Sequence, residues 1–195
     1  GEKRKVSSHY LIDTNGKIYN LVPDSKRAWH AGVSSWQDQD DINSRSLGIE
    51  IVNKGEKKAS YYPDLQISAL IELIKNLMKK YKIHSYNILG HSDIAPLRKI
   101  DPGKYFPWKT LSENMIGIWT ENERQDIFLK NNDVDLLLIN LKKIGYPYID
   151  FSEKNKNNFK IIDAFHRHFL PDQLGKKPTL SSLKISKDLL KLKNT

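Results

Sequence analysis

The chain has 195 residues, enough for one medium domain plus a small one. With 38% apolar and 28% charged residues it can build a packed core, which argues against global disorder, and no apolar run is long enough to span a membrane as a helix. The formal charge of +9, spread along the chain, suits any polyanion without choosing one, and the absence of cysteine excludes disulfides and thiolate metal sites.

The opening GEKRKVSS has no apolar signal-peptide region. Residues 6–12 are β-rich, Asp13-Thr-Asn-Gly16 follows, and residues 17–22 are β-rich again, so a hairpin around an Asn-Gly turn is expected. Residues 28–41 lack periodicity and read as a loop. Residues 46–52 read as a buried strand with one acid, Glu50, inside it. Residues 63–83 predict the clearest helix: Ile67, Leu70, Ile71, Ile74, Leu77, Met78 and Tyr81 recur at steps of three and four and make one apolar stripe. Residues 87–90 read as a short strand and residues 91–108 as a loop carrying Pro96, Pro102 and Gly103. Strand, helix, strand in that order suggests an α/β layer. After a change of character at 109–120 the pattern predicts only helices, over 121–130, 134–144, 159–169 and 180–192, with Gly145 as a C-terminal cap. The chain therefore divides into a unit over 1–112 and a small helical unit of three to four helices over 113–195.

The residues that carry chemistry sit on the 91–108 loop. His91 and Asp101 are suitable metal ligands on a loop that the prolines would fix in course. Lys99 stands two residues before Asp101, placed to stabilise an oxyanion. Glu50 is a candidate general base. Each has a plainer reading: His91 with Asp101 as a loop hydrogen bond, Glu50 as an acid on the wet face of a strand. Trp36 and Trp108 are either sugar-stacking platforms or core, His166 and His168 packing or surface residues, and the Lys-rich stretch 184–193 a solvated helix face.

Four segments, in order, resemble a known family: Ser7-Ser-His-Tyr-Leu-Ile12, Ala28-Trp-His-Ala-Gly-Val-Ser-Ser-Trp36, Asn43-x-x-Ser-Leu-Gly-Ile-Glu50 and Gly90-His-Ser-Asp-Ile-Ala-Pro-x-Arg-Lys-x-Asp-Pro-Gly103. They are similar to the N-acetylmuramoyl-L-alanine amidases of the amidase-2 group, in the AmpD/AmiD branch. The tail resembles a peptidoglycan-binding-like helical domain: Ile162-Asp-Ala-Phe-His-Arg-His-Phe169 looks like its Phe-Gln helix, with His166 where Gln is usual. The resemblance implies an α+β fold, a central mixed sheet flanked by helices. It implies zinc-dependent cleavage of the amide between N-acetylmuramic acid and L-alanine, with peptidoglycan or muropeptides as partner and no nucleic acid. By matched position, His91 and Asp101 are two zinc ligands, Glu50 the acid/base and Lys99 the oxyanion stabiliser. Trp29, His30, Ala31 and Gly32 line the substrate groove, with Asn43 as a polar support. The third ligand of the family is a histidine upstream of the Ser-Ser-His-Tyr motif, hence expected before Gly1; His9 is the nearby alternative but matches a different position. The implied location is the bacterial cell envelope, periplasmic or outer-membrane-associated, with cytoplasmic muropeptide recycling as the alternative. The rival function is a non-catalytic peptidoglycan-recognition protein on the same fold.

Overall fold

A computed structural model of the chain describes residues 6–58, 60–152 and 156–193. Strand β1 (Tyr10–Ile12) pairs antiparallel with β2 (Ile18–Asn20) and parallel with β5 (Ile49–Ile51), giving a mixed sheet in the order β2-β1-β5. The hairpin expected around the Asn-Gly turn is present, with Leu11 opposite Tyr19. Gly16 is needed there for two reasons: its φ is +82°, and a β-carbon would stand 2.7 Å from the Leu65 carbonyl oxygen. Helix α1 (Asp64–Tyr81) lies where the stripe predicted it and buries Ile67, Leu70, Ile74 and Leu77. One polar side chain joins helix to sheet: the buried Gln66 amide donates to the Ile12 carbonyl at 3.1 Å and to the Val52 carbonyl at 2.9 Å, closing two strand ends at once.

Four expectations need correction. The strand over 46–52 shrinks to three residues, only half-buried, and Glu50 in its middle is exposed. No strand forms at 87–90; a single 3-10 turn, Ser85–Asn87, delivers the chain to Gly90. The two loops hold more order than aperiodicity suggested: 28–41 contains a tiny hairpin, β3 (Ser35–Trp36) with β4 (Gln39–Asp40), and 91–108 contains a one-turn helix, α2 (His91–Ile94). Helix α3 (Trp108–Glu113) then begins where that loop ends. Finally, residues 121–130 are not helical. Their backbone groups pair with the chain before the last helix instead: Leu129 N–H donates to the Pro178 carbonyl at 3.0 Å, and Leu180 N–H to the Ile127 carbonyl at 2.9 Å. Exposed charged residues on this stretch offer no apolar stripe to bury, so the external partners win.

The other three helices of the tail form as expected: α4 (Asn131–Ile144), α5 (Lys156–Phe169) and α6 (Leu180–Lys193). One buried cluster sits between α1, α3 and the sheet, around Ile12, Leu70, Phe106 and Leu111. A second fills the space between α4, α5 and α6, and it continues into Ala31, Trp36, Ile94 and Ala95 of the preceding segments. The packing therefore runs across residue 112 without a gap. Trp36 and Trp108, buried to 7% and 6% exposure, are core residues and not sugar platforms.

His166 is fully buried in this second region. Its Nδ1–H donates to the Gln173 carbonyl at 3.1 Å, and its Nε2 accepts from the Ser182 hydroxyl at 2.9 Å, the pattern of a neutral ring. Burial lowers its pKa to about 4, against the opposing pull of the Gln173 carbonyl. The unfolded ring titrates near pH 6.5, so from about pH 6.5 down to 4 the unfolded chain takes up a proton that the folded chain refuses. Stability from this group is complete above that window and is lost on descending through it. The variant His166→Gln, which keeps a donor and an acceptor but cannot titrate, is expected to retain about 2 kcal/mol more of its neutral-pH stability than the wild type at pH 4.5. Urea midpoints measured at both pH values check this; parallel losses in both proteins would contradict it.

Candidate active site

The loop over 90–103 is built from a short chain of hydrogen bonds. Asp93, buried in α2, accepts the Gly90 N–H on Oδ2 at 2.7 Å and so starts the turn. Across the loop, Ser92 N–H donates to the Asp101 carbonyl at 2.9 Å. These two bonds set His91 beside Asp101, with Nδ1 and Oδ2 at 2.9 Å. The other ring nitrogen, Nε2, lies 3.0 Å from the Ala31 carbonyl oxygen. Both nitrogens of His91 thus face oxygen acceptors. With Nε2–H given to the Ala31 carbonyl, Nδ1 is the nitrogen left facing the Asp101 carboxylate, with its lone pair open to a cation between them. Partial burial pushes the Asp101 pKa up, but the hydrogen bond and charge of His91, together with Lys99, outweigh it and leave it lowered. Lys99 Nζ stands 3.9 Å from Asp101 Oδ1.

Residues 29–33 form the facing wall. Asn43, buried, accepts the N–H groups of His30 at 3.0 Å and Ala31 at 2.8 Å on one oxygen. That orients the Ala31 carbonyl toward His91. Arg98 holds the same strip from the other side: its guanidinium donates to the Val33 carbonyl at 2.8 Å and also to the Ala31 carbonyl. Gly32 has φ +60°, and a β-carbon there would lie 2.8 Å from the Arg98 guanidinium, so this position requires glycine. Trp29 is exposed, with the Arg27 guanidinium 4.2 Å above its ring.

His30 is half-buried and its ring packs directly on Gly48, where a β-carbon would come within 2.2 Å of it. Burial, then the neighbouring His9 and His91, lower its pKa to about 4 against a backbone hydrogen bond at Ser46. The ring is therefore neutral at pH 7, and its buried Nε2 has no partner among the described residues. Glu50 follows two positions after Gly48 in extended chain, so its side chain leaves the strand on the face where His30 packs. His9 does not serve as a substitute ligand. Its Nδ1 accepts the Gly48 N–H and its Nε2 donates to the Lys26 carbonyl, both at 3.0 Å, so neither nitrogen is free. Among the described residues no group of three His, Asp or Glu side chains converges as a complete metal set; the structure supplies the pair His91 and Asp101.

Sequence reasoning passed over Arg98 and Asp93, although both stand inside the 90–103 motif. Their importance comes from backbone groups and from residues far along the chain, which spacing does not reveal.

The sequence model for N-acetylmuramoyl-L-alanine amidases matches residues 1–104. The chain belongs to this amidase family. It is 38% identical over 188 residues to N-acetylmuramoyl-L-alanine amidase AmiD of Escherichia coli, a match covering 86% of this chain and 67% of AmiD. It is 45% identical over 106 residues to 1,6-anhydro-N-acetylmuramyl-L-alanine amidase AmpD of Haemophilus influenzae, covering 54% of this chain and 56% of that one. The structure of E. coli AmiD, solved with the substrate anhydro-N-acetylmuramic acid-L-Ala-D-gamma-Glu-L-Lys, superposes with a TM-score of 0.87 at 32% identity over 97% of this chain and 81% of AmiD. AmpDh3 of Pseudomonas aeruginosa in complex with anhydromuramic pentapeptide gives a TM-score of 0.82 at 32% identity, over 96% and 82%. The solved relatives of the whole chain include the helical tail, so family membership and the α+β fold are shared along its length.

Replacing Asn43 by alanine leaves the buried Ala31 N–H and the part-buried His30 N–H without their acceptor and loosens the strip that carries the Ala31 carbonyl. Asn43→Ala is expected to destabilise the fold by roughly 2–3 kcal/mol and to lower hydrolytic activity at temperatures where the protein remains folded. Thermal unfolding followed by activity assay checks both; full activity in the folded variant would contradict the orienting role.

Proposed function

We propose that the chain is a zinc-dependent amidase that cleaves the bond between the lactyl group of N-acetylmuramic acid and L-alanine in peptidoglycan fragments. The observation that carries this reading is His91, with Nε2 tied to the Ala31 carbonyl and Nδ1 turned to the Asp101 carboxylate 2.9 Å away. A histidine ligand fixed through its second nitrogen by a backbone carbonyl is the usual support for a metal ligand. Neighbouring ligand atoms around a tetrahedral zinc lie about 3.4 Å apart, so the pair would open by about half an ångström from its 2.9 Å contact to take the metal. His91 and Asp101 fit as two of three ligands, and the reading assigns the third place to a residue outside the described set.

The chemistry supplied by bound zinc is Lewis-acid polarisation of the scissile carbonyl and acidification of a water. The remaining work falls to the chain's own side chains. Glu50, exposed on its short strand, accepts the proton of the attacking water and passes it to the leaving amine of L-alanine. Lys99, close to Asp101, donates to the oxyanion as the carbonyl carbon becomes tetrahedral. Trp29 and the 30–32 strip form the wall on which the sugar and first peptide residues bind. A protein that only bound muropeptides would have no use for a carboxylate at Glu50 together with Lys99 beside Asp101. The place of action is wherever muropeptides occur, in the cell envelope or in cytoplasmic recycling; no helix among the described residues is long and apolar enough to cross a membrane.

Glu50→Ala is expected to lower muropeptide hydrolysis by roughly 10²–10⁴-fold while zinc content stays at the wild-type level. Metal analysis alongside product release by chromatography reads both. Zinc lost together with activity would make Glu50 a ligand and overturn its role as base.

A further inference from the structure

Just before its last residue, Phe169, helix α5 carries Arg167 and His168, each bonded to a carboxylate outside the helix. His168 Nδ1–H donates to Asp93 Oδ2 at 2.8 Å, and that same oxygen accepts the Gly90 N–H at 2.7 Å. Tyr146, after α4, donates its hydroxyl to the other oxygen, Oδ1, at 2.8 Å. Arg167 Nε donates to Glu56 Oε2 at 2.9 Å, and that oxygen in turn accepts the Lys104 N–H at 2.9 Å. Gly90 is the residue before His91, and Lys104 stands three residues after Asp101. The loop that bears His91, Lys99 and Asp101 is therefore gripped at its entry and at its exit, each time through one carboxylate.

Both grips are largely removed from water. His168 and Asp93 have side-chain exposures of 5% and 1%, Arg167 and Glu56 of 10% and 15%. The His168 ring is also stacked between Trp108, with centroids 3.8 Å apart, and Phe169 at 3.9 Å, which fixes its plane. Buried charge-assisted bonds of this kind hold geometry tightly and are costly to break on one side only. Residues next to each other on a helix diverge by about 100°, so one helix end can serve both ends of the loop.

We infer that Arg167 and His168 are positioning residues of the active site: the helical tail sets the spacing of His91 and Asp101 by clamping both ends of their loop. This gives the tail a role in the amidase reaction distinct from wall binding. The inference rests on the reading of His91 and Asp101 as metal ligands. Groups bonded directly to a metal ligand commonly change its affinity by 10–100-fold; Arg167 and His168 act one step further out, through Glu56 and Asp93 on the loop backbone, so the low end of that range applies.

The test uses the full chain and three variants. His168→Phe keeps the stack and removes the donor. His168→Asn restores a donor near the Nδ1 position. Arg167→Met removes the second grip and keeps the test open should His168→Phe not fold. Amide exchange in the metal-free proteins is expected to speed up at Gly90 in His168→Phe and at Lys104 in Arg167→Met, each variant loosening only its own end. Zinc titration is expected to show about tenfold weaker binding in both, with kcat reduced more than KM changes, and partial recovery in His168→Asn. If Gly90 and Lys104 keep wild-type protection, or zinc affinity and kcat stay at wild-type values while only the unfolding midpoint falls, the inference is overturned and the contacts are ordinary staples. A wild-type protein that takes up no zinc would contradict the ligand assignment, and the exchange arm alone would then decide whether the clamp exists.

Discussion

Asp93 is a carboxylate almost completely removed from water, and such a group is expensive unless its oxygens are satisfied. It receives three donors: the Gly90 N–H, the Tyr146 hydroxyl and the His168 ring. Burial and the adjacent Asp93 push the Tyr146 hydroxyl well above its ordinary pKa, so it keeps its proton and remains a donor. Each donor comes from a different place in the chain, one from the start of the ligand loop, one from the end of α4 and one from the end of α5. Removing any one would leave charge or polarity uncompensated in a region packed by Trp108 and Phe169. The one-turn helix α2 owes its position to this carboxylate, and His91 is its first residue.

From that anchor the site follows in a few steps. α2 aims His91 at the Ala31 carbonyl; Arg98 donates to that carbonyl, and Asn43 accepts the N–H of the same residue. The backbone bond from Ser92 to Asp101 brings Asp101 alongside His91. Gly32 and Gly48 allow the approach, one by its positive φ under Arg98 and the other by leaving room for the His30 ring. His91, Ala31 and Asp101 are each bonded on the side away from the cleft, which is what a preformed site geometry requires.

The local parts of this were legible in the sequence. A stripe at helical spacing gave α1 nearly to its ends, an Asn-Gly pair between β-rich runs gave the hairpin, and one motif segment held both His91 and Asp101, which do meet in space. The family match and the superposition on AmiD bear out the fold and the relationship. What stayed hidden depends on partners far along the chain. His168 and Asp93 are 75 positions apart, Arg167 and Glu56 are 111 apart, and no period or spacing connects them. The same holds for residues 121–130, where charged residues at tolerable helical propensity were read as a helix but the backbone found its bonds at 178–180. Glu50 shows the opposite error: an acid flanked by Ile49 and Ile51 reads as buried, yet the three-residue strand turns it to solvent.

The central claim is that the His91–Asp101 pair holds a catalytic divalent metal. Native mass spectrometry of the wild type and of Asp101→Asn, each loaded with zinc and assayed on a muropeptide, tests it most directly. The account predicts one zinc per wild-type chain, and its loss together with hydrolysis in the variant. Undiminished hydrolysis by wild-type protein stripped of metal and held in chelator would contradict it.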